Sequence, residues 1–366
     1  MNSQTAMTQA EVKSDIAPEP TGVPSGHWIQ SARFDSWFFL LSPVFGFSII
    51  IANVILSPRG ATLFGLAAFY FIGMPHYLST YAFYLGDDNL AQYWMRRTAF
   101  FGGPLIILAA VIFLRRMSLG PVLASAVFVW NIYHVSMQSS GILNIYRKLN
   151  DGPMSEKRLA SFTILAVNFT MAFWFIKRYQ PLTLLLGKVH STLPAILGKL
   201  CLLIAIVPVI LLTRRILQRS KRISSQELSF LLVSIALFHP FLWVRDVRIA
   251  TFAMLIGHFI QYLAIVWLLN RRKYANADGS RRQQFLGRLS RQGAALITAF
   301  LVSGVSFWVI QWMSRTIGFQ AIFDTVLLAI PPIHFYQDGL VWAFRRAYVR
   351  ESIGSYLLRG PVPVRG

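Results

Sequence analysis

Four histidines lie in the middle of long apolar segments of this chain, where an ionisable side chain is costly. Each is followed four residues later by a polar side chain. The four pairs are His76 and Thr80, His134 and Gln138, His258 and Tyr262, and His334 and Asp338. An i, i+4 spacing places both members of a pair on one helix face. Because ionisable residues inside a membrane are rare and face the bundle interior, the repeated layout predicts one shared site, most simply a metal centre.

The types of donor atom narrow the chemistry of such a centre. Imidazole nitrogen binds iron, zinc and copper. Asp338 is the only carboxylate predicted to lie deep in the membrane, whereas a carboxylate-bridged di-iron centre needs several acidic ligands. We therefore expect the four histidines to be the ligands. The four polar partners would orient the imidazole rings and take part in catalysis, since ligand histidines usually donate their second N–H to such a group.

The composition is that of a membrane protein. The chain is 55% hydrophobic and only 13% charged, whereas soluble domains are about 25% charged. Its apolar residues come in runs of about 20, the length that a bilayer-spanning helix requires. The net charge of +21 would suit a nucleic-acid partner. The Lys and Arg residues flank the apolar runs instead of forming one patch, which argues for membrane lipids as partners and against nucleic acid.

The apolar runs predict an all-α, polytopic membrane bundle of about ten transmembrane helices. Their approximate bounds are 36–57, 61–86, 98–114, 119–146, 160–176, 192–213, 227–244, 247–270, 292–314 and 320–344. We expect residues 1–32 to be a disordered polar tail, 33–350 a single transmembrane domain and 351–366 a C-terminal tail. The apolar segment 180–190 is too short to span and is predicted to lie at an interface.

The distribution of cationic residues predicts the orientation of these helices. With both termini in the cytoplasm, 25 of the 35 Lys and Arg residues fall on the cytoplasmic side, as the positive-inside rule requires. We expect an integral protein of a bacterial inner membrane. The most basic stretch, 271–291, either rests on the anionic leaflet or is a solvated loop. In this topology all four histidines lie on helices that run inward, at a depth of roughly 16–23 Å.

Four short patches carry the histidines. They are GMPH at 73–76, IYH at 132–134, LIGHF at 255–259 and PIH-x3-D at 332–338. In order and spacing they resemble the Brp/Blh family of membrane β-carotene 15,15'-dioxygenases. The resemblance implies a helical membrane protein in which histidine-bound Fe(2+) and O2 cleave an apolar polyene.

The chain departs from that family at two positions. Tyr262 stands where the third patch of the family has a second histidine, and Thr80 stands where the first patch has an aspartate. His334 would then have to complete the metal shell. The resemblance implies an iron-dependent membrane oxygenase whose substrate is a carotenoid-, polyene- or lipid-like molecule. The site residues by themselves also admit zinc or copper.

Other functions are compatible with the same histidines. A transporter or ion carrier would use the intramembrane His and Asp side chains as a proton or metal relay, although no inverted repeat with broken helices is evident. Haem ligation is a third possibility, but four histidines in one layer fit two stacked haems poorly. His239 is a weaker candidate ligand, since it precedes Pro240 and a structural role there is favoured.

Overall fold

The structure is a computed structural model that describes most of the chain. The described residues are 28–86, 95–174, 192–219, 223–274, 280–291 and 293–358. They are helical and contain no strand, so the all-α prediction is confirmed for this part of the chain. The predicted interfacial segment 180–190 and the first 27 residues of the predicted tail lie outside it.

The described part of the chain contains α-helices of very different lengths. They are α1 (Ala32–Asp35), α2 (Ser42–Phe45), α3 (Phe47–Ile55), α4 (Pro58–Ala68), α5 (Met74–Gly86), α6 (Gly103–Arg116), α7 (Gly120–Leu149), α8 (Lys157–Phe173), α9 (Leu193–Leu217), α10 (Ser225–Ala236), α11 (Pro240–Trp243), α12 (Val247–Tyr274), α13 (Arg281–Arg291), α14 (Gly293–Thr316), α15 (Gln320–Val341), α16 (Ala347–Val349) and α17 (Ser355–Leu357). Four π-helical segments interrupt this series: Ser36–Leu40, Phe69–Gly73, Thr98–Gly102 and Arg350–Gly354.

Six helices among the described residues are long and apolar enough to cross a membrane. They are Pro58–Tyr81, Thr98–Arg116, Ile196–Leu217, Ser225–Trp243, Val247–Tyr274 and Ala295–Thr316. A seventh span results if Ala32–Leu40 and Ser42–Ile55, which meet at 47°, are counted as one. The membrane class is therefore supported, while the count of ten and the cytoplasmic termini stay predictions. The site-bearing helices α7 and α15 are not among the six, and α8 has only 17 residues.

The centre of the bundle is α12. Of its most apolar stretch 72% is buried, against 6% for the span Ala295–Thr316. A Cβ on Gly257 would lie 2.8 Å from the carbonyl oxygen of Ser42, so α12 and α2 touch closely at a glycine, as small residues allow in membranes. Gln261 donates hydrogen bonds to the Phe39 carbonyl (3.2 Å) and to Ser42 Oγ (2.8 Å). These contacts fix the part of α12 that carries His258.

Buried polar groups attach both ends of the described chain to the bundle. The carboxylate of Asp35 accepts backbone N–H groups from residues 29–31 and the hydroxyl of Tyr146 at 2.7 Å. Arg272 donates to the carbonyls of Ile29 and Leu357. The packed part of the chain therefore extends beyond residues 33 and 350, because buried backbone groups at both ends need these partners.

A buried ion network joins α7 to α10, to the segment before α8 and to the segment after α9. Arg147 Nε lies 2.9 Å from Glu227, and Arg219 lies 2.5 Å from Glu156 and 3.2 Å from Glu227. Burial alone would lower the pKa of Arg219, but its hydrogen bonds to the two carboxylates outweigh burial and raise that pKa. The network holds together helices that are distant in sequence.

Candidate metal centre

The four predicted histidines converge on one point inside the bundle, although α5, α7, α12 and α15 carry one each. All four side chains are buried. The ring centroid of His76 lies 4.5 Å from that of His334 and 4.8 Å from that of His258. The centroid of His134 lies 5.0 Å from His258 and 5.1 Å from His334. The four histidines, for which the sequence predicts a similar depth, are thus also lateral neighbours.

Among the residues that the structure describes, six nitrogen atoms of these rings are buried and find no hydrogen-bond partner. They are both ring nitrogens of His76, both of His258, and Nε2 of His134 and of His334. Each unpaired buried polar atom costs about 1–3 kcal/mol, so six in one place form a costly cluster. A neutral imidazole has one lone pair, so a cation could bind one nitrogen of each of the four rings and remove part of that cost.

The spacing of the nitrogens fits a metal ion. Single ligand atoms from His76, His134 and His258 lie within 4.8 Å of one another. Two imidazole nitrogens that each bind an ion at about 2.0–2.1 Å lie no more than about 4.2 Å apart. Small ring movements therefore suffice for coordination. A second overlapping group, formed by His134, His334 and Asp338, meets the same 4.8 Å limit.

Asp338 lies at the edge of the histidine cluster. Its Oδ2 atom is 3.5 Å from Nε2 of His334 and 4.0 Å from Nε2 of His134. It had been predicted as an orienting partner, and this position also allows it to be a ligand.

Hydrogen bonds fix the protonation of His334. The hydroxyl of Tyr262 donates to Oδ1 of Asp338 at 2.7 Å. Thr80 donates its single hydroxyl proton to the same oxygen at 3.1 Å, so Thr80 Oγ1 must accept from Nδ1–H of His334, at 2.9 Å. Nε2 of His334 then carries a lone pair. It faces Oδ2 of Asp338 at 3.5 Å, and a carboxylate oxygen can also only accept a hydrogen bond. A cation between the two atoms would satisfy both.

The polar partners act across helices rather than along one helix. The prediction was that each would orient the histidine four residues earlier. Thr80 of α5 instead contacts His334 of α15, and Gln138 donates to the backbone carbonyl of His258 at 3.5 Å. Among these contacts only Asp338 approaches the histidine of its own helix. Because the helices converge here, a side chain one turn further along reaches the ring on a neighbour.

Local irregularities precede two of the four histidines. The π-helical segment Phe69–Gly73 ends three residues before His76, and such segments are frequent at functional sites. In α15, Pro331 and Pro332 remove backbone N–H donors shortly before His334. Pro332 belongs to the PIH-x3-D motif, whereas the π-helical segment has no composition signal from which it could be predicted.

His239 is held by its own set of aromatic partners. Its Nδ1 accepts a hydrogen bond from Trp243 Nε1 at 3.0 Å, and its ring stacks on Trp243 and Phe47. This environment suits the structural role that the sequence favoured.

An apolar groove of about 280 Å³ reaches the cluster between α7, α12 and α15. His134 and Asp338 form part of its wall, and Phe335 stacks on His134 with 4.5 Å between ring centroids. The remaining lining residues are Trp130, Tyr133, Met137, Gln138, Gly141, Ile142, Ile145, Tyr262, Ile265, Gly339, Trp342 and Phe344. An apolar molecule in this groove would lie directly beside His134 and Asp338. Most of this lining could not be predicted from sequence, since apolar and glycine residues in a membrane helix carry no distinguishing pattern.

Comparison with known proteins gives no match: no protein-family model fits the chain, and no curated protein or solved structure is significantly similar to it. The resemblance of the four histidine patches to the Brp/Blh family therefore stays a prediction.

Proposed function

We propose that this protein is a membrane-embedded, non-haem iron oxygenase that acts on an apolar substrate. The observation that carries the proposal is a cluster of four buried imidazole rings with unpartnered nitrogens, in which His134 also lines an apolar groove. A metal centre accounts for one unpartnered nitrogen of each ring, and an apolar substrate accounts for the groove.

The available ligands favour iron. His134, His334 and Asp338 form a group of two histidines and one carboxylate, the donor set of many non-haem Fe(II) oxygenases. His76 and His258 would complete the coordination. When bound, ferrous iron supplies the redox chemistry that activates O2, although zinc and copper accept the same imidazole donors.

The four-ring cluster argues against haem. Each ring centroid has two others within about 5 Å. A macrocycle inserted between any two rings would meet the remaining rings edge-on, so a single ion is the better occupant of the space.

The proposed reaction is a dioxygenation. One carbon–carbon double bond and one O2 give two carbonyl groups, with both oxygen atoms in the product and no external reductant. The roles of the protein side chains are to bind and to orient. Phe335 and Trp342 wall the groove, and apolar walls exclude water from the reacting bond. Thr80 holds His334 in one tautomer.

An isotope experiment tests this proposal. Purified protein loaded with Fe(2+) is incubated under 18O2 with β-carotene or with linoleate, and the products are analysed by mass spectrometry. We expect 18O in a product of at least one substrate, loss of that product in His334→Ala, and its retention in His239→Ala. Absence of 18O incorporation with both substrates, or equal activity in the two variants, would overturn the proposal. Metal flux into proteoliposomes without O2 uptake would favour an ion carrier.

A further inference from the structure

The groove opens to the outside of the bundle at two glycines. Gly141 of α7 and Gly339 of α15 both line it and are exposed. A Cβ built on either would meet no atom within 4 Å. Tyr133 and Met137 are on the same open side, 47% and 37% exposed. In the predicted spans this opening faces lipid, so a molecule can reach the groove from within the bilayer.

The groove is long and follows α7. Its lining runs from Trp130 to Ile145, which corresponds to about 22 Å along a helix. His134 lies near the Trp130 end. A linear molecule that fills the groove would therefore pass His134 about 6 Å from one of its ends, with its other end near Ile145.

Cationic residues lie at the end of the groove away from Trp130. Phe344 lines it, and the exposed Arg345 follows directly in the chain. Arg350 donates to the carbonyls of Phe344 (3.2 Å) and Arg345 (3.0 Å). The stretch 345–351 contains three arginines and one glutamate, so this end is positively charged. Guanidinium groups bind carboxylates through charge-assisted hydrogen bonds.

We propose that the groove binds a long, unsaturated, single-chain carboxylate, a fatty acid. Its carboxylate lies at Arg345 and Arg350, and a double bond in the interior of its chain lies beside His134 and Asp338. The proposal rests on the proposed oxygenase function only for the reaction at that double bond. Binding itself requires the groove and the arginines, not the metal.

Two simpler explanations compete with a fatty-acid site. Arginines at the cytoplasmic ends of helices commonly anchor them at the headgroup level, and any lipid-facing groove accepts neutral hydrocarbon. Both alternatives predict that a negative charge on the ligand does not matter. Comparison of an acid with its matched alcohol therefore separates them from our proposal.

Tryptophan fluorescence provides the assay, since Trp130 and Trp342 line the groove. The protein is purified in neutral detergent, and its fluorescence is titrated with 9,10-dibromostearate or with 9,10-dibromooctadecanol, whose bromine atoms quench nearby indoles. We expect the acid to bind about tenfold more tightly than the alcohol, as one hydrogen bond between charged groups allows. Equal affinities would overturn the carboxylate assignment.

Variants locate the binding site. Gly141→Leu fills the groove and should abolish quenching by the acid. If leucine lowers the yield of protein, Gly141→Ala serves instead and should weaken the quenching. Gly120→Leu, on the same helix with an equally open Cβ position, should bind like the unmodified protein. Arg345→Gln should weaken acid binding about threefold without affecting the alcohol, while Arg33→Gln should change neither. Unchanged binding in Gly141→Leu and Gly141→Ala would overturn the location.

The same titration on His334→Ala separates this proposal from the oxygenase proposal. Retained selective binding in this variant supports the fatty-acid site whether or not iron is bound. Stoichiometric iron in the unmodified protein, together with equal binding of acid and alcohol, would overturn the fatty-acid site and leave the oxygenase proposal in place.

Discussion

Thr80 and His334 are 254 positions apart in sequence and are joined by a hydrogen bond of 2.9 Å between Oγ1 and Nδ1. The bond connects α5 to α15 at the level of the histidine cluster. Because it occupies Nδ1, only Nε2 of His334 is left to bind a metal. One hydroxyl thus links two helices and orients the ring of a candidate metal ligand.

Substitution of Thr80 by valine should weaken metal binding. Valine keeps the shape of threonine but removes the acceptor for Nδ1–H of His334. Loss of such an orienting partner typically lowers metal affinity about 10–100-fold. Competition with a chelator measures this affinity. Ser79→Ala is the control, since Ser79 bonds only the carbonyl of His76 among the contacts described, and an equal loss of affinity in both variants would contradict the assignment.

Substitution of Tyr262 by phenylalanine should destabilise the protein. The Tyr262 hydroxyl donates the 2.7 Å bond to Asp338 and accepts from Trp342 at 3.3 Å. Without it a buried carboxylate loses its shortest hydrogen bond, at a cost of about 1.5–3 kcal/mol. Thermal denaturation in detergent should show a lower Tm. Tyr133→Phe, in which the hydroxyl of a half-exposed side chain is removed, should leave the Tm nearly unchanged, and a similar Tm for Tyr262→Phe would count against the role of the hydroxyl.

Substitution of Glu227 by glutamine should be among the most destabilising single changes. Arg147 is 1% exposed, and removal of its partner leaves a buried charge, which costs about 3–5 kcal/mol. The matched variant is Asp246→Asn, whose partner Arg248 has 89% of its side chain exposed. That pair should contribute less than about 1 kcal/mol. Comparable Tm decreases in the two variants would refute the importance of the buried network.

Substitution of Gly257 by alanine should displace α12. The added Cβ would lie 2.7 Å from a Leu237 carbon and 2.8 Å from the Ser42 carbonyl oxygen. Such overpacking costs about 1–3 kcal/mol and moves the adjacent His258. We expect a lower Tm and reduced metal content. Gly293→Ala, where nothing lies within 4 Å, should change neither property. Normal metal content in Gly257→Ala would show that this close approach does not position the site.

The sequence was sufficient to identify the long apolar helices and the histidines, because both depend on local composition. It did not predict α13, since the basic stretch 271–291 was expected only to rest on the leaflet or to be a solvated loop. The described parts of the ten predicted segments are largely helical, and the four histidines meet. The contacts between helices could not be predicted. That Thr80 contacts His334, and not a residue of its own helix, depends on which helices are neighbours and how they are rotated. No pattern within one helix encodes either property.

The burial of residues 28–32 could not be predicted from sequence either. Residues 28–32 resemble a polar tail, yet Ile29 is fully buried and Gln30 is 8% exposed. Their burial depends on Asp35, which accepts their backbone N–H groups, and on Arg272, which is more than 240 positions away. Long-range partners of this kind override local polarity.

Binding of iron by the four histidines can be measured by elemental analysis. The protein is purified without added chelator, and its metals are quantified by inductively coupled plasma mass spectrometry together with those of His76→Ala and His239→Ala. We predict about one iron per chain in the unmodified protein and in His239→Ala, and a loss of most of that iron in His76→Ala. The absence of stoichiometric iron from the unmodified protein, or unchanged iron in His76→Ala, would rule out an iron site formed by these histidines.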